Sequence, residues 1–308
     1  MSQQSSEPRA VATEARSLLF AEVAKTQPGI WRLMLSQFFA NRSAMVGMII
    51  ILVLSFVALF APQLAPHPYD EQSLFDSLMK PLSPDHFLGT DQFGRDTLSR
   101  IIWGARVSIQ VGVIVTSVSM VIGLVIGCLA GYYGGVTDLV LSNLMDLVWG
   151  FPLILVALLL VTVMGPGLDG AMIATGLVAW AGFARIVRGE VLSLREWGFI
   201  VSAQSVGASD LRIISRHILP NMLGPVLVMA SFTMAAAVII EASLSFLGLG
   251  VQPPQPSWGS MLNDGRAFVH RAWWMAVFPG AAIATLVLGF NLLGDGLRDV
   301  LDPRMRRR

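Results

Sequence analysis

Apolar residues fall in long runs along this chain, separated by polar segments that hold nearly all of the charge. The run at 44–66 has no charged residue or histidine, and neither have the runs at 147–168, 218–240 and 272–294. The run at 107–137 is longer and also uncharged, and the one at 170–188 is weaker because Asp169 and Arg185 bound a short apolar stretch. A helix needs roughly 20 apolar residues to cross the hydrocarbon core of a bilayer. The pattern therefore predicts an all-α membrane protein with six transmembrane helices.

These runs divide the chain. Residues 1–43 form a polar N-terminal segment, 44–66 the first span, and 67–104 a connection rich in Pro and Asp. Residues 105–296 form a five-helix core with a polar loop at 190–219, and 297–308 form a basic tail. Lys and Arg favour the cytoplasmic side of a membrane protein. With six spans, 15 of the 21 basic residues lie on one side, in the N-terminal segment, the 190–219 loop with Arg185 and Arg188 at its edge, and the tail. That bias predicts an N-in, C-in chain with the 190–219 loop in the cytoplasm. Residues 1–43 have no short apolar core followed by a cleavage site, so the first span is expected to remain as an anchor. Outside, Trp258, Trp273 and Trp274 suit the level of the headgroups.

Composition agrees. The 308 residues are 54% hydrophobic and 13% charged, against about 25% charged in soluble domains; mean hydropathy is +0.66. A net charge of +1 gives no sign of a nucleic-acid partner. Cys128 is the only cysteine, which excludes an intrachain disulfide and suits a small packing residue. The four histidines (67, 86, 217 and 270) are scattered, and no metal is assigned to them. A Gly-x-x-x-x-Gly-Lys-Ser/Thr phosphate loop is missing, and so is any Ser/His/Asp or zinc-hydrolase signature. The chain is expected to catalyse no reaction itself.

The most informative segment is 201–221, polar and helix-compatible between two apolar runs. Gly207 sits at a turn, Asp210 is placed to cap a second short helix, and Pro220 suits the first turn of the next span. This segment resembles the cytoplasmic coupling loop of binding-protein-dependent ABC importer permeases, a Glu-Ala-Ala pattern followed at set spacing by Gly and by Leu-Pro. Ala203, Gly207, Leu219 and Pro220 match, while Val201 and Ser202 replace the Glu and the first Ala, and His217 replaces an Ile. Four further stretches are similar to the oligopeptide/dipeptide/nickel class, and to its C-type subunit. They run from His86 through Asp91, Gly94, Arg95 and Asp96 to Arg100; from Gly131 to Gly135 with Phe151-Pro152; from Glu241 to Gly250; and from Asn291 to Pro303.

The resemblance implies a multi-pass subunit of the inner (cytoplasmic) membrane with the type I ABC importer permease fold. It implies a heterodimer with a homologous permease, two ATP-binding subunits that hold ATP and Mg, and an extracytoplasmic solute-binding protein that delivers dipeptides or short oligopeptides. Glutathione or nickel are alternative cargoes, and an ion-coupled secondary transporter is the rival of another class. By the same resemblance Ala203, Gly207, Ala208, Ser209, Asp210, Arg212, Leu219 and Pro220 would meet an ATPase subunit. Asp91, Arg95 and Asp96 would either fold the external connection or touch the binding protein. Glu241 would either hydrogen bond within the protein or line the path, since an ionisable group in a span is a functional hypothesis by default. Asp146 reads as structural. Ser119, Gly123, Gly127 and Gly131, spaced by four, point to close helix packing between paired permeases.

Overall fold

The computed structural model of the chain describes residues 36–301. The expectations for residues 1–35 and for the end of the basic tail lie outside them. The described residues are helical, with only two isolated β-bridges.

Helix α1 (Arg42–Leu59) starts at Asn41, whose side chain accepts a bond from the Ala44 amide. Only Ala44, Gly47 and Ala58 of it are buried, because an apolar helix that faces lipid needs no protein cover. Helix α2 (Thr97–Tyr133) is 37 residues long, about 55 Å at 1.5 Å per residue, and overshoots the hydrocarbon core. It begins ten residues before the predicted run because Asp96 caps it, accepting from Ser99 N at 2.7 Å. The next crossing is broken. Helices α3 (Gly135–Trp149) and α4 (Leu153–Met164) meet at 86°. The predicted span 147–168 straddles this break. Phe151 precedes a proline, which pushes its backbone out of the helical region, and Gly150 adds freedom. Helix α5 (Leu168–Leu194) follows, then the short helices α6 (Gly198–Ser205) and α7 (Asp210–Ile213). Helix α8 (Leu223–Phe246), helix α9 (Trp258–Arg266) and helix α10 (Trp274–Leu301) complete the chain.

Among the described residues five helices are long and apolar enough to cross a membrane, and the bent pair α3–α4, apolar enough when its two halves are taken together, makes six if it counts as one span. The span that looked weakest, now α5, is the most enclosed by protein. It packs along α2, and a helix lined by protein needs less apolar surface than one lined by lipid. The small-residue stripe makes this contact. A Cβ on Gly127 would stand 2.6 Å from the Ala184 carbonyl, one on Gly123 2.5 Å from Phe183 Cβ, and one on Gly131 2.8 Å from Val191 Cβ. Ser119 Oγ donates to the Gly176 carbonyl at 3.3 Å. The stripe thus joins two helices of one chain, where packing between subunits was expected. Cys128 is buried in the same interface.

The tryptophans also depart from expectation. Trp258 and Trp274 are buried and donate their indole N–H to the carbonyls of Ile101 and Thr90, both at 3.0 Å. Only Trp273 is exposed. Trp258 fastens α9 to the start of α2 and Trp274 fastens α10 to the connection before it, so both are fold contacts.

Candidate functional site

The segment 201–221 forms a compact knob at one end of the molecule. Helix α6 ends at Val206, and Gly207 turns the chain with φ +79°, a conformation Gly adopts without steric cost. The Ala208 amide then bonds back to the Ala203 carbonyl at 3.1 Å. Helix α7 begins at Asp210. Ser209 is its N-cap residue and makes no side-chain cap bond, so Asp210 does not cap as expected. It lies in the first turn, where a carboxylate suits the helix dipole, and its Oδ1 accepts from Tyr132 Oη at 2.9 Å. A π-helical turn, Ile214–Ile218, leads to Leu219–Asn221 with Pro220 in the first turn.

Two sets of apolar residues give the knob its character. Ile200, Ile213 and Ile218 are fully buried against Val187, Val191 and Met222. They root it in α5 and α8. Val206 and Leu211, by contrast, are 85% and 77% exposed, and Val201 is about half exposed. Gly207, Ser209, Asp210, Arg212 and Pro220 share the exposed face, while Ala203, Ala208 and Leu219 are half-buried against the root. Val206 and Leu211 escaped the sequence reading. An apolar residue in a polar loop is ordinary until the fold shows it has no cover.

Beyond the Tyr132–Asp210 bond that ties the knob to α2, polar links join α5, which carries the knob, to α2 and α3. Arg195 Nη1 donates to the Gly131 carbonyl at 3.2 Å. Arg188 makes a two-pronged ion pair with Asp138, its Nη2 at 2.7 Å from Oδ2. Arg185 pairs with Asp146 and lies 4.5 Å from the centre of the Trp149 ring. Two acids of α3 thereby hold α5.

Further in, a cavity of about 280 Å³ lies between α2, the α3–α4 elbow, α5 and α8. Val115, Trp149, Leu153, Thr175 and Thr233 are among its walls, and none of its described lining residues is charged. The Thr175 and Thr233 hydroxyls donate to their own helices, to Ala171 and Met229.

Glu241 does not line that cavity. It is 1% exposed, and its Oε1 accepts from Ser245 Oγ at 2.7 Å. Ser245 Oγ in turn accepts from Val251 N at 3.1 Å. The turn after α8 presses on this pair so closely that a Cβ on Gly250 would stand 2.0 Å from Ser245 Oγ. The acid is part of the closure at this end of α8.

At the end remote from the knob, Asp91, Arg95 and Asp96 all turn inward. Asp91 Oδ1 accepts from the Phe93 and Arg95 amides, and its Oδ2 from Arg95 Nε at 2.6 Å. Arg95 Nη2 reaches Asp264 at 3.3 Å, and Arg100 lies beside both acids. Asp96 takes His86 Nδ1 at 3.0 Å besides capping α2. Their charges shape the connection that leads into α2 and face away from solvent.

Residues 123–307 match the family model for the binding-protein-dependent transport system inner membrane component. The chain belongs to that family. Residues 29–81 of the permease also match the N-terminal TM domain of oligopeptide transport permease C. It is 45% identical to the dipeptide transport system permease protein DppC of Alkalihalophilus pseudofirmus, over 90% of each chain. It is 39% identical to the oligopeptide transport system permease protein OppC of Bacillus subtilis, over 93% of each. With the glutathione transport system permease protein GsiD of Pectobacterium atrosepticum it shares 41% identity, over 90% of this chain and 92% of that one. In structure it is similar to a chain of the MetNI methionine ABC transporter in an inward-facing conformation. The TM-score is 0.57 at 16% identity, over 67% of this chain and 97% of that one, which identifies the type I ABC importer permease fold.

Proposed function

We propose that this permease forms, with a homologous permease, the inner-membrane path for dipeptides or short oligopeptides delivered by an extracytoplasmic binding protein. Two partner ATPases bind ATP and Mg, and this chain contributes no catalytic group. The observation that carries the reading is the knob. Its apolar face is uncovered, yet its root is buried and tied to α2 and α5. Val206 and Leu211 stand exposed on a base that Ile200, Ile213 and Ile218 root in α5 and α8, which is the arrangement a docking face needs.

The mechanism follows from those links. An ATPase gripping the exposed face in the cytoplasm moves Ile200, Ile213 and Ile218 with it, because close-packed interiors transmit displacement. The glycine contact lets α2 and α5 move as one body. The elbow at Gly150–Pro152, pinned by Asp138 and Asp146, follows α5 and changes the wall of the 280 Å³ cavity. That wall is apolar and uncharged, which suits side chains of varied kind without fixing any. ATP drives the switch only as far as the ATPases contact the two states of the knob differently. Names of relatives support peptide cargo, with glutathione, itself a peptide, as the second reading.

Uptake tests this. Proteoliposomes with the permease, its partner permease, the ATPases and the binding protein should accumulate labelled dipeptide only with ATP inside. Uptake driven by an ion gradient without ATP would overturn the reading. Glutathione or nickel uptake without peptide uptake would replace the cargo.

A further inference from the structure

We propose that His67, His86 and Asp96 form a binding site for one divalent transition-metal ion, at the end of the permease remote from the knob. Scattered in the sequence, these three meet in the fold, with one donor atom from each lying within 4.8 Å of the others. Residue 67 follows the helical turn after α1, residue 86 is midway along the connection, and Asp96 starts α2. The His67 and His86 rings lie side by side, their centroids 5.0 Å apart.

The chemistry of the donors sets the class of ion. Two imidazoles and one carboxylate suit Zn²⁺, Co²⁺ or Ni²⁺ better than Mg²⁺ or Ca²⁺, which prefer an all-oxygen shell. Metal–ligand bonds of about 2.0–2.1 Å in a tetrahedron put neighbouring ligand atoms roughly 3.3 Å apart. His86 Nδ1 and Asp96 Oδ1 are already 3.0 Å apart. Closing the third ligand from within 4.8 Å asks for a rotation of the His67 ring, which is partly exposed, and water completes the shell.

The surroundings are those of a held site. Bound metals depend on hydrogen bonds that orient their ligands. His67 Nε2 donates to the Asp85 carbonyl at 2.9 Å, which fixes its tautomer and leaves Nδ1 with its lone pair. Asp96 Oδ2 is held by the Ser99 amide, and the Ser99 hydroxyl accepts from the His67 amide at 3.0 Å. Asp96 is buried and the His86 side chain is 12% exposed, so an ion here reaches solvent through one side. A metal at this point clasps the connection between the first two spans. It is resident, away from the apolar cavity, and is not cargo.

The test uses the full-length chain, purified with a tag free of histidine, and Co²⁺ as the probe. Wild type should bind one Co²⁺ per chain with the visible absorption of a low-coordinate site, displaced by Zn²⁺ and not by excess Mg²⁺. His67→Ala and His86→Ala should each weaken binding at least tenfold, since losing even an orienting partner costs roughly 10–100-fold; His270→Ala should change nothing. If His86→Ala fails to insert, the more exposed His67 carries the comparison. No stoichiometric Co²⁺ or Zn²⁺ on wild type, or equal binding by wild type and His67→Ala, overturns the site and leaves only a His86–Asp96 hydrogen bond.

Discussion

Gly207 is where backbone demand and docking demand can be separated. Its φ of +79° costs a non-glycine residue about 1–2 kcal/mol, and nothing in the chain lies within 4 Å of the Cβ it lacks. A substitution therefore strains one turn and collides with nothing. At 1.4 kcal/mol per tenfold, that strain reduces the native turn by roughly five- to thirtyfold, and less for Asn, which tolerates the left-handed region. Asn and Asp have the same shape, so Gly207→Asn and Gly207→Asp share the backbone cost. Only Asp adds a charge to the face that carries Val206 and Leu211. The expected result is that Gly207→Asn keeps uptake within about tenfold of wild type. Gly207→Asp should abolish ATPase binding and uptake, with membrane insertion unchanged and any fall in thermal midpoint the same in both. ATPase pull-down, proteoliposome uptake and thermal unfolding in detergent supply the readouts. Normal uptake by Gly207→Asp would refute the reasoning, and so would equal loss in both variants, which would make the turn alone responsible.

Three other substitutions probe the rest of the account. Gly127→Val should cost about 1–3 kcal/mol by overpacking and lower the thermal midpoint, because even its Cβ meets backbone at 2.6 Å; an unchanged midpoint would mean that α2 and α5 separate freely. Glu241→Gln should leave uptake and stability near wild type, since an amide oxygen still accepts from Ser245. Reduced uptake at normal expression would assign the carboxylate to the path instead. Tyr132→Phe removes the Asp210 bond, worth about 0.5–1.5 kcal/mol, and should lower solute imported per ATP hydrolysed while insertion persists. An unaltered ratio would show that this bond carries no coupling.

How much of this was legible depended on which environment imposed the rule. Lipid demands long apolar runs, so four of the six could be read directly. The third was misplaced because Gly150-Phe151-Pro152 bends an apolar run, and hydropathy carries no direction. The fourth looked weak because protein covers it, and so Ala and Gly suffice where lipid would ask for Leu. In the knob, Gly207 and Pro220 announced themselves through backbone chemistry. Val206 and Leu211 did not, since exposure is settled by the residues that fail to cover them. The pairing of Arg95 with Asp264, and the meeting of His67 with His86, depend on distant elements docking at one end of α2. No local spacing encodes either.

The central claim is that the 201–221 knob is where an ATPase acts on the permease. Ser209→Cys and Leu211→Cys, each in a Cys128→Ala chain, place a single thiol on the exposed face. Co-expressed with its ATPase, each variant should form a crosslink whose yield changes when ATP is added. No crosslink, in a chain shown to be inserted with that loop in the cytoplasm, would contradict the account at its base.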